Sequence, residues 1–311
     1  VRLTNRMING NNDVGGLVGV NSGGTIADTT VSGTVTGNEF VGGVVGDNDD
    51  GTITNVTTSA NVTGALRVGG LVGLNEVSGT ITDSSASGSV NATAQFGPVG
   101  GLVGENVGSI QTATVSGTVT GDRNVGGLVG VNGVNGTITD ATVSGTVTGN
   151  TFVGGVVGEN IGSIQTATAS GSVTGEVEVG GLVGENIGSI QTAAASGSVI
   201  GTNIVGGLVG LNDGNGTITD TRASGDVNGD SRVGGLVGFN FVSGTVRNAF
   251  AVGPVSGTDD VGGLVGNNSG KVGQSYFNTE TTGQSVSTRD AGGLTTAEMQ
   301  GQAAAENMAL A

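Results

Sequence analysis

Asp47, Asn48, Asp49 and Asp50 stand together ahead of Gly51. Oxygen ligands clustered before a glycine turn are what a hard cation such as Ca²⁺ selects. Asn48, however, belongs to a series described below, and no other stretch repeats the cluster. A solvated acidic corner is the plainer reading, and no metal site is assigned. Hydroxyl pairs form a second group. Thr52/Thr54, Thr80/Thr82, Thr137/Thr139 and Thr217/Thr219 recur at one place, and Thr34/Thr36, Thr118/Thr120 and Thr146/Thr148 at another. A flat threonine array could order water as an ice-binding face does. Ser109/Gln111, Ser163/Gln165 and Ser189/Gln191 interrupt the pattern, which leaves ice binding a remote alternative. N-x-Ser/Thr sequons at Asn55, Asn61, Asn91, Asn135, Asn215 and Asn267 permit glycosylation. A chain this rich in Asn, Ser and Thr produces as many by chance.

Catalysis finds no support. The chain has neither His nor Cys. Thiol and imidazole zinc sites, cysteine nucleophiles and histidine triads are therefore excluded. The carboxylates are scattered, and no pair sits in an apolar setting suited to acid–base work. We expect no enzyme, no catalytic residue and no cofactor. The net charge of −16, with one lysine (Lys271), is the wrong sign for a phosphate-binding surface, so nucleic acid is not an expected partner. No apolar run is long enough to span a bilayer. Gly accounts for 66 of 311 residues and aromatics for 3%, which argues against two ordinary globular cores.

These side chains are positioned by a repeat. The phrase V-G-G-[LV]-V-G-x-N starts at Val14, Val41, Val68, Val99, Val125, Val153, Val179, Val205, Val233 and Val261. Steps between starts are 27, 27, 31, 26, 28, 26, 26, 28 and 28 residues. Two further strands follow in each period, one centred near Ile138 and its equivalents, one near Val147 and its equivalents. They lie 9 residues apart in every coil, whereas the first corner varies. Length that varies only at corners fits loops on a fixed frame. In G-T-I-T-D and G-T-V-T-G, period-2 alternation turns Ile or Val inward and Thr outward. The spacing predicts an all-β, right-handed parallel β-solenoid with three short strands per coil and about ten coils. At ~4.8 Å per coil its length is roughly 45–50 Å.

Two columns follow from stacking. The eighth place of the phrase is always asparagine: Asn21, Asn48, Asn75, Asn106, Asn132, Asn160, Asn186, Asn212, Asn240 and Asn268. Identical amides stacked coil on coil can donate and accept along the axis, so these residues are expected to form a structural ladder. The fifth place is always valine: Val18, Val45, Val72, Val103, Val129, Val157, Val183, Val209, Val237 and Val265. Strict alternation shares their face with place seven, which holds charged residues such as Glu105, Glu159 and Glu185. That phasing predicts an outward apolar band, a packing face for another copy or a neighbouring surface. A second bend after the leucine would bury them instead.

The phrase at this period resembles the GLUG-motif repeats found in large bacterial and archaeal surface proteins, many of them adhesin-like. The resemblance runs from Val14 to Asn268, and the tail stretches Ser275 to Ser285 and Gly293 to Gln300 are similar to segments that close such arrays. It implies a secreted, surface-attached product. The expected function is an extracellular adhesin-like rod, with a filament or surface-layer subunit as the alternative. Partners would be other copies or cell-surface components, glycans among them. The corner before each phrase is freely written, as in Asn38-Glu39-Phe40 and Asp122-Arg123-Asn124, and would carry a binding surface. Residues 1–273 are read as solenoid. Residues 274–311 are read as a cap, in which Thr295 and Glu298 open a short helix that continues to about Leu310.

Overall fold

The computed structural model describes residues 1–288 and 291–300. The chain is a parallel β-solenoid of about ten coils, built of three sheets with 21, 10 and 10 strands. One coil shows the plan. Strand Arg123–Gly126 lies in the first ten-stranded sheet and Val129–Asn132 in the second. Thr137–Val143 and Val147–Thr148 both lie in the broad sheet. Each pairs in register with its counterpart one coil on: Val125 with Val153, Val129 with Val157, Ile138 with Ile164, Val147 with Val173.

The phrase therefore serves two sheets, not one strand. Val-Gly ends the first, Gly-Leu is a bend, and Val-Gly-x-Asn forms the second. The bend resets the alternation, so places four and five both turn inward. Leu128 and Val129 are each 0% exposed. The outward band expected of the fifth-place valines is overturned. Val45, Val72, Val103, Val129, Val157, Val183, Val209, Val237 and Val265 are core residues, and Val18 packs half-buried against the same core. The packing-face reading fails with them, because a period-2 template cannot register a bend that needs no proline.

The interior divides into two apolar columns. The larger gathers the fourth- and fifth-place residues with Ile138, Ala141 and Val143 and their equivalents. The smaller stacks the first-place valines on Val119, Val147 and their kind. Between them the first two sheets come so close that only glycine fits. A methyl group on Gly126 would lie 1.9 Å from the Val129 carbonyl oxygen, and one on Gly130 would lie 2.5 Å from the Val99 nitrogen. These glycines are needed for close backbone approach.

Coil closure requires left-handed backbone at two columns of non-glycine residues. One column runs through Asp28, Asn55, Asp83, Thr112, Asp140, Thr166, Thr192, Asp220 and Asn248, with φ between 49° and 58°. Asp and Asn tolerate this region, whereas β-branched threonine does not. Asn248 Nδ2 donates to Asp220 Oδ1 one coil below at 3.0 Å. Asp140 occupies the corresponding place below the exposed Thr166. Thr166→Asn should therefore relieve strain and supply the same bond, stabilising the chain by about 1 kcal/mol. Thermal melting of the two proteins checks this, and an unchanged or lower midpoint contradicts it.

The C-terminal segment covers the last coil, but not with the expected helix. Among the described residues there is no helix. The reciprocal bonds between Thr295 and Glu298 exist, at 2.8 and 3.3 Å, yet they close a single turn. The rest of the expected helix lies outside the described residues. An irregular strap caps the exposed sheet edges instead. Ser287 Oγ accepts from the Val265 amide at 2.9 Å, Thr288 Oγ1 donates to the Val265 carbonyl at 2.9 Å, and Gln284 Nε2 donates to the Val255 carbonyl at 2.9 Å. Phe277, 1% exposed, fills the end of the core. Edge strands need such cover, and hydroxyl and amide groups supply it here without helical backbone.

Candidate functional site: one variable face on a constant frame

The asparagine series forms a continuous ladder. Each side-chain Nδ2 donates to the Oδ1 of the next coil: Asn106 to Asn132 at 2.8 Å, Asn132 to Asn160 at 2.9 Å, Asn160 to Asn186 at 2.8 Å. The same nitrogen also reaches a carbonyl at its own corner, Gly136 in the case of Asn132 at 3.1 Å. The eight inner members are 0% exposed, and Asn21 and Asn268 at the ends are 7% and 6% exposed. Every amide is spent on its neighbours, so the ladder offers nothing to a ligand.

The Asp47–Asp50 stretch does not converge on one point. Asn48 faces inward, Asp49 accepts from Ser22 Oγ at 3.2 Å, and Asp50 sits at φ 55°. Among the described residues no group of three or more acidic, His or Cys side chains is placed to hold a metal ion. Of the sequons, Asn55, Asn61, Asn91, Asn135 and Asn215 are exposed. Asn267 is half-buried, with its Nδ2 donating to Asp260 at 2.7 Å.

Variable side chains gather on one face. The residue just before nine of the ten phrases forms the second left-handed column, Pro98 being the exception: Asp13, Phe40, Arg67, Asn124, Phe152, Glu178, Ile204, Arg232 and Asp260, with φ from 50° to 60°. This conformation brings that residue against place seven of the phrase. Arg67 Nε reaches Glu105 at 2.5 Å and its Nη1 reaches Glu39 at 3.4 Å, with the guanidinium 5.0 Å from the Phe40 ring. Arg123 lies 4.2 Å over Phe152, and Arg232 lies 5.6 Å over Phe239, which meets Phe241 edge-on at 5.5 Å. Asn124 Nδ2 donates to Glu159 at 3.2 Å. Asp47 Oδ1, Asn124 Oδ1 and Glu178 Oε2, all on this face, are buried atoms that lack a hydrogen-bond partner. Sequence reading placed variability at the corner before the phrase. It read place seven as facing water without joining it to that corner, and it missed the left-handed backbone that joins the two.

Electrostatics on this face are unbalanced. Glu159 and Glu185 are register neighbours in adjacent coils, and Glu178 faces them. Burial pushes Glu178 and Glu185 up to about 7, like-charged neighbours adding to the shift while Arg123 opposes it. Burial also raises Glu159 and lifts Asp47 to about 6. A carboxyl that is harder to ionise when folded holds a proton the unfolded chain releases. It therefore stabilises the fold at low pH, and that stability is lost as pH rises from the usual carboxylate range through about 7. The melting temperature should thus rise as pH falls from about 8 to about 5, and Glu185→Gln should flatten that rise while raising the value at the alkaline end. A profile falling towards acid, or one indifferent to Glu185→Gln, would contradict this assignment.

Four of the coils match the family model described as the GLUG motif, at residues 10–36, 64–91, 121–148 and 201–228. Those four coils are GLUG repeats. The other coils carry the same phrase and the same paired strands. No curated protein and no solved structure matches the chain. Each matched GLUG segment begins at the variable corner and ends on the third strand, so one repeat contains one rung of every column described above. Among the described residues no helix is long and apolar enough to cross a membrane.

Proposed function

We propose that the chain is an extracellular, adhesin-like binding rod that reads cell-surface components, glycans among them, through its variable face. What supports this reading is the distribution of sequence change. Ladder asparagines, meshed glycines and core valines scarcely vary from coil to coil. Arg, Phe, Glu, Asn and Ile alternate along one face. A frame needs the first set and is indifferent to the second. Arg and aromatic side chains are also those that concentrate binding energy at interfaces, and here they are held in place by cation–π contact. The rod keeps its binding groups in a line, so many weak contacts along it would add through multivalency. The reading is of a protein that binds and does no chemistry.

A glycan array and a panel of intact cell surfaces test the proposal. Retention is expected, with loss in the triple variant Arg67→Ser, Arg123→Ser, Arg232→Ser and little change in melting temperature, because surface ion pairs contribute little stability. Failure to bind any surface, or binding indifferent to the triple change, would sink the reading.

A further inference from the structure

The broad sheet presents a second, quite different surface. The end of strand Thr137–Val143, the whole of strand Val147–Thr148 and their equivalents in other coils form one outward face. Its side chains come from segments such as T-V-S-G-T-V-T at 30–36, 114–120 and 142–148, and T-A-S-G-S-V-T at 168–174. The valines and alanines of these segments point into the core, and the Ser and Thr point out. Thr30, Thr57, Ser85, Thr114, Thr142 and Thr168 stack in register as one column. Three further columns run beside it.

Across the first seven coils these four columns hold 28 positions, and all but Asn61, Asn91, Ala194 and Ile200 are Ser or Thr. No charge and no aromatic ring falls among them, in a chain of net charge −16. The array stops at the eighth coil, where Arg222 and Asp226 enter the columns. The T-x-T pairs that Gln111, Gln165 and Gln191 break lie on the neighbouring part of the strands equivalent to Thr137–Val143, beyond the left-handed corner. The interruption read from the sequence therefore spares this face.

Ser87, Ser170 and Ser196 donate to the carbonyls of Thr58, Val143 and Ala169, but most of the threonine hydroxyls are free to bind outward. Among the described residues no hydrogen bond engages those of Thr114, Thr118, Thr120, Thr142, Thr148 and Thr168, whereas Ser85 donates to Thr57 at 3.2 Å and Ser172 to Thr146 at 3.4 Å within the array. Threonine χ1 is stiff, so the hydroxyls are ordered before any ligand arrives. Coil stacking repeats them every ~4.8 Å along the axis, and alternation repeats them every ~6.7 Å along the strand, over about 30 by 20 Å. Oxygen atoms on a prism plane of hexagonal ice repeat at spacings close to both.

We propose that this hydroxyl face, on the first seven coils, binds ice. A polysaccharide surface would call for aromatic rings to stack on sugars, and a charged polymer for cations or anions; the face has neither. A water lattice asks only for neutral groups, regularly spaced and held rigid. The proposal is independent of the adhesive reading, which uses the opposite set of columns.

Ice recrystallisation and ice-plane affinity, measured on the full chain, test it. The chain is expected to suppress recrystallisation and to coat a growing crystal. The double variant Thr118→Tyr, Thr146→Tyr should lose both effects at an unchanged melting temperature. Thr118→Lys with Thr146→Lys provides a second disruption should the tyrosines unfold the sheet. Val77→Ser, on an exposed corner away from the face, should retain both effects. A parent chain without effect on ice overturns the proposal. Retention on crystalline cellulose that the same substitutions abolish, with ice growth untouched, overturns it in favour of a polysaccharide.

Discussion

Gly126→Ala is expected to unfold the middle of the rod, at a cost above about 4 kcal/mol. The added methyl would meet the Val129 carbonyl oxygen at 1.9 Å and the Gly158 nitrogen at 2.8 Å. Both are backbone atoms, so no side-chain rotation relieves the clash. The first two sheets would have to part, and the Val125 and Val129 ladders on either side would part with them. Gly133→Ala is the matched control. There the nearest atom is the Asn106 carbonyl oxygen at 3.5 Å, and the change should be neutral or mildly stabilising, by up to about 1 kcal/mol. Thermal melting followed by circular dichroism compares them. Equal midpoints would show that the interior glycines are not held by close approach.

The second large effect is at the ladder. Asn132→Ala removes the acceptor of Asn106 and the donor to Asn160 and Gly136, all at a buried corner. Unsatisfied buried polar groups cost about 1–3 kcal/mol each, so a loss of at least ~2 kcal/mol is expected. Asn135→Ala, three residues on and exposed, should stay within about 0.5 kcal/mol. Asn124 is no substitute control despite its place in the variable corner, since it holds left-handed backbone and binds Glu159. Indistinguishable stabilities for the Asn132 and Asn135 variants would defeat the ladder.

Much of this was legible beforehand because it rests on period and identity. Inward Ile138 and Val147 follow from alternation, and the amide column follows from ten identical residues. The Gly-Leu bend was legible only as the alternative reading, since glycine and leucine there fit a straight strand equally well. Only the glutamates at place seven hinted that strict alternation had to fail. One left-handed column left a trace in its Asp and Asn residues. The other left only Asp13, Asn124 and Asp260 among bulkier residues, because Phe152, Ile204 and Arg232 carry no preference for that conformation; closure of the coil imposes it. At the C-terminus, Thr295 and Glu298 specify a turn and say nothing of how far a helix would run. The threonine pairs were noticed but read as interrupted, and the full extent of the array was hidden for a different reason. Its columns join two strands that look separate in sequence and become one surface only when the sheet forms.

Coils six and seven share E-N-I-G-S-I-Q-T-A at 159–167 and 185–193, so a folding chain meets nearly interchangeable partners one coil apart. A strand that skipped its neighbour would find the same amide, the same valine and the same glycines waiting, with a whole coil looped out. The two coils also agree in corner length, so the left-handed residues that open them, Phe152 and Glu178, are what tell such templates apart. Erasing them to make every coil alike would produce a rod that is more stable on paper and slower to find a single alignment.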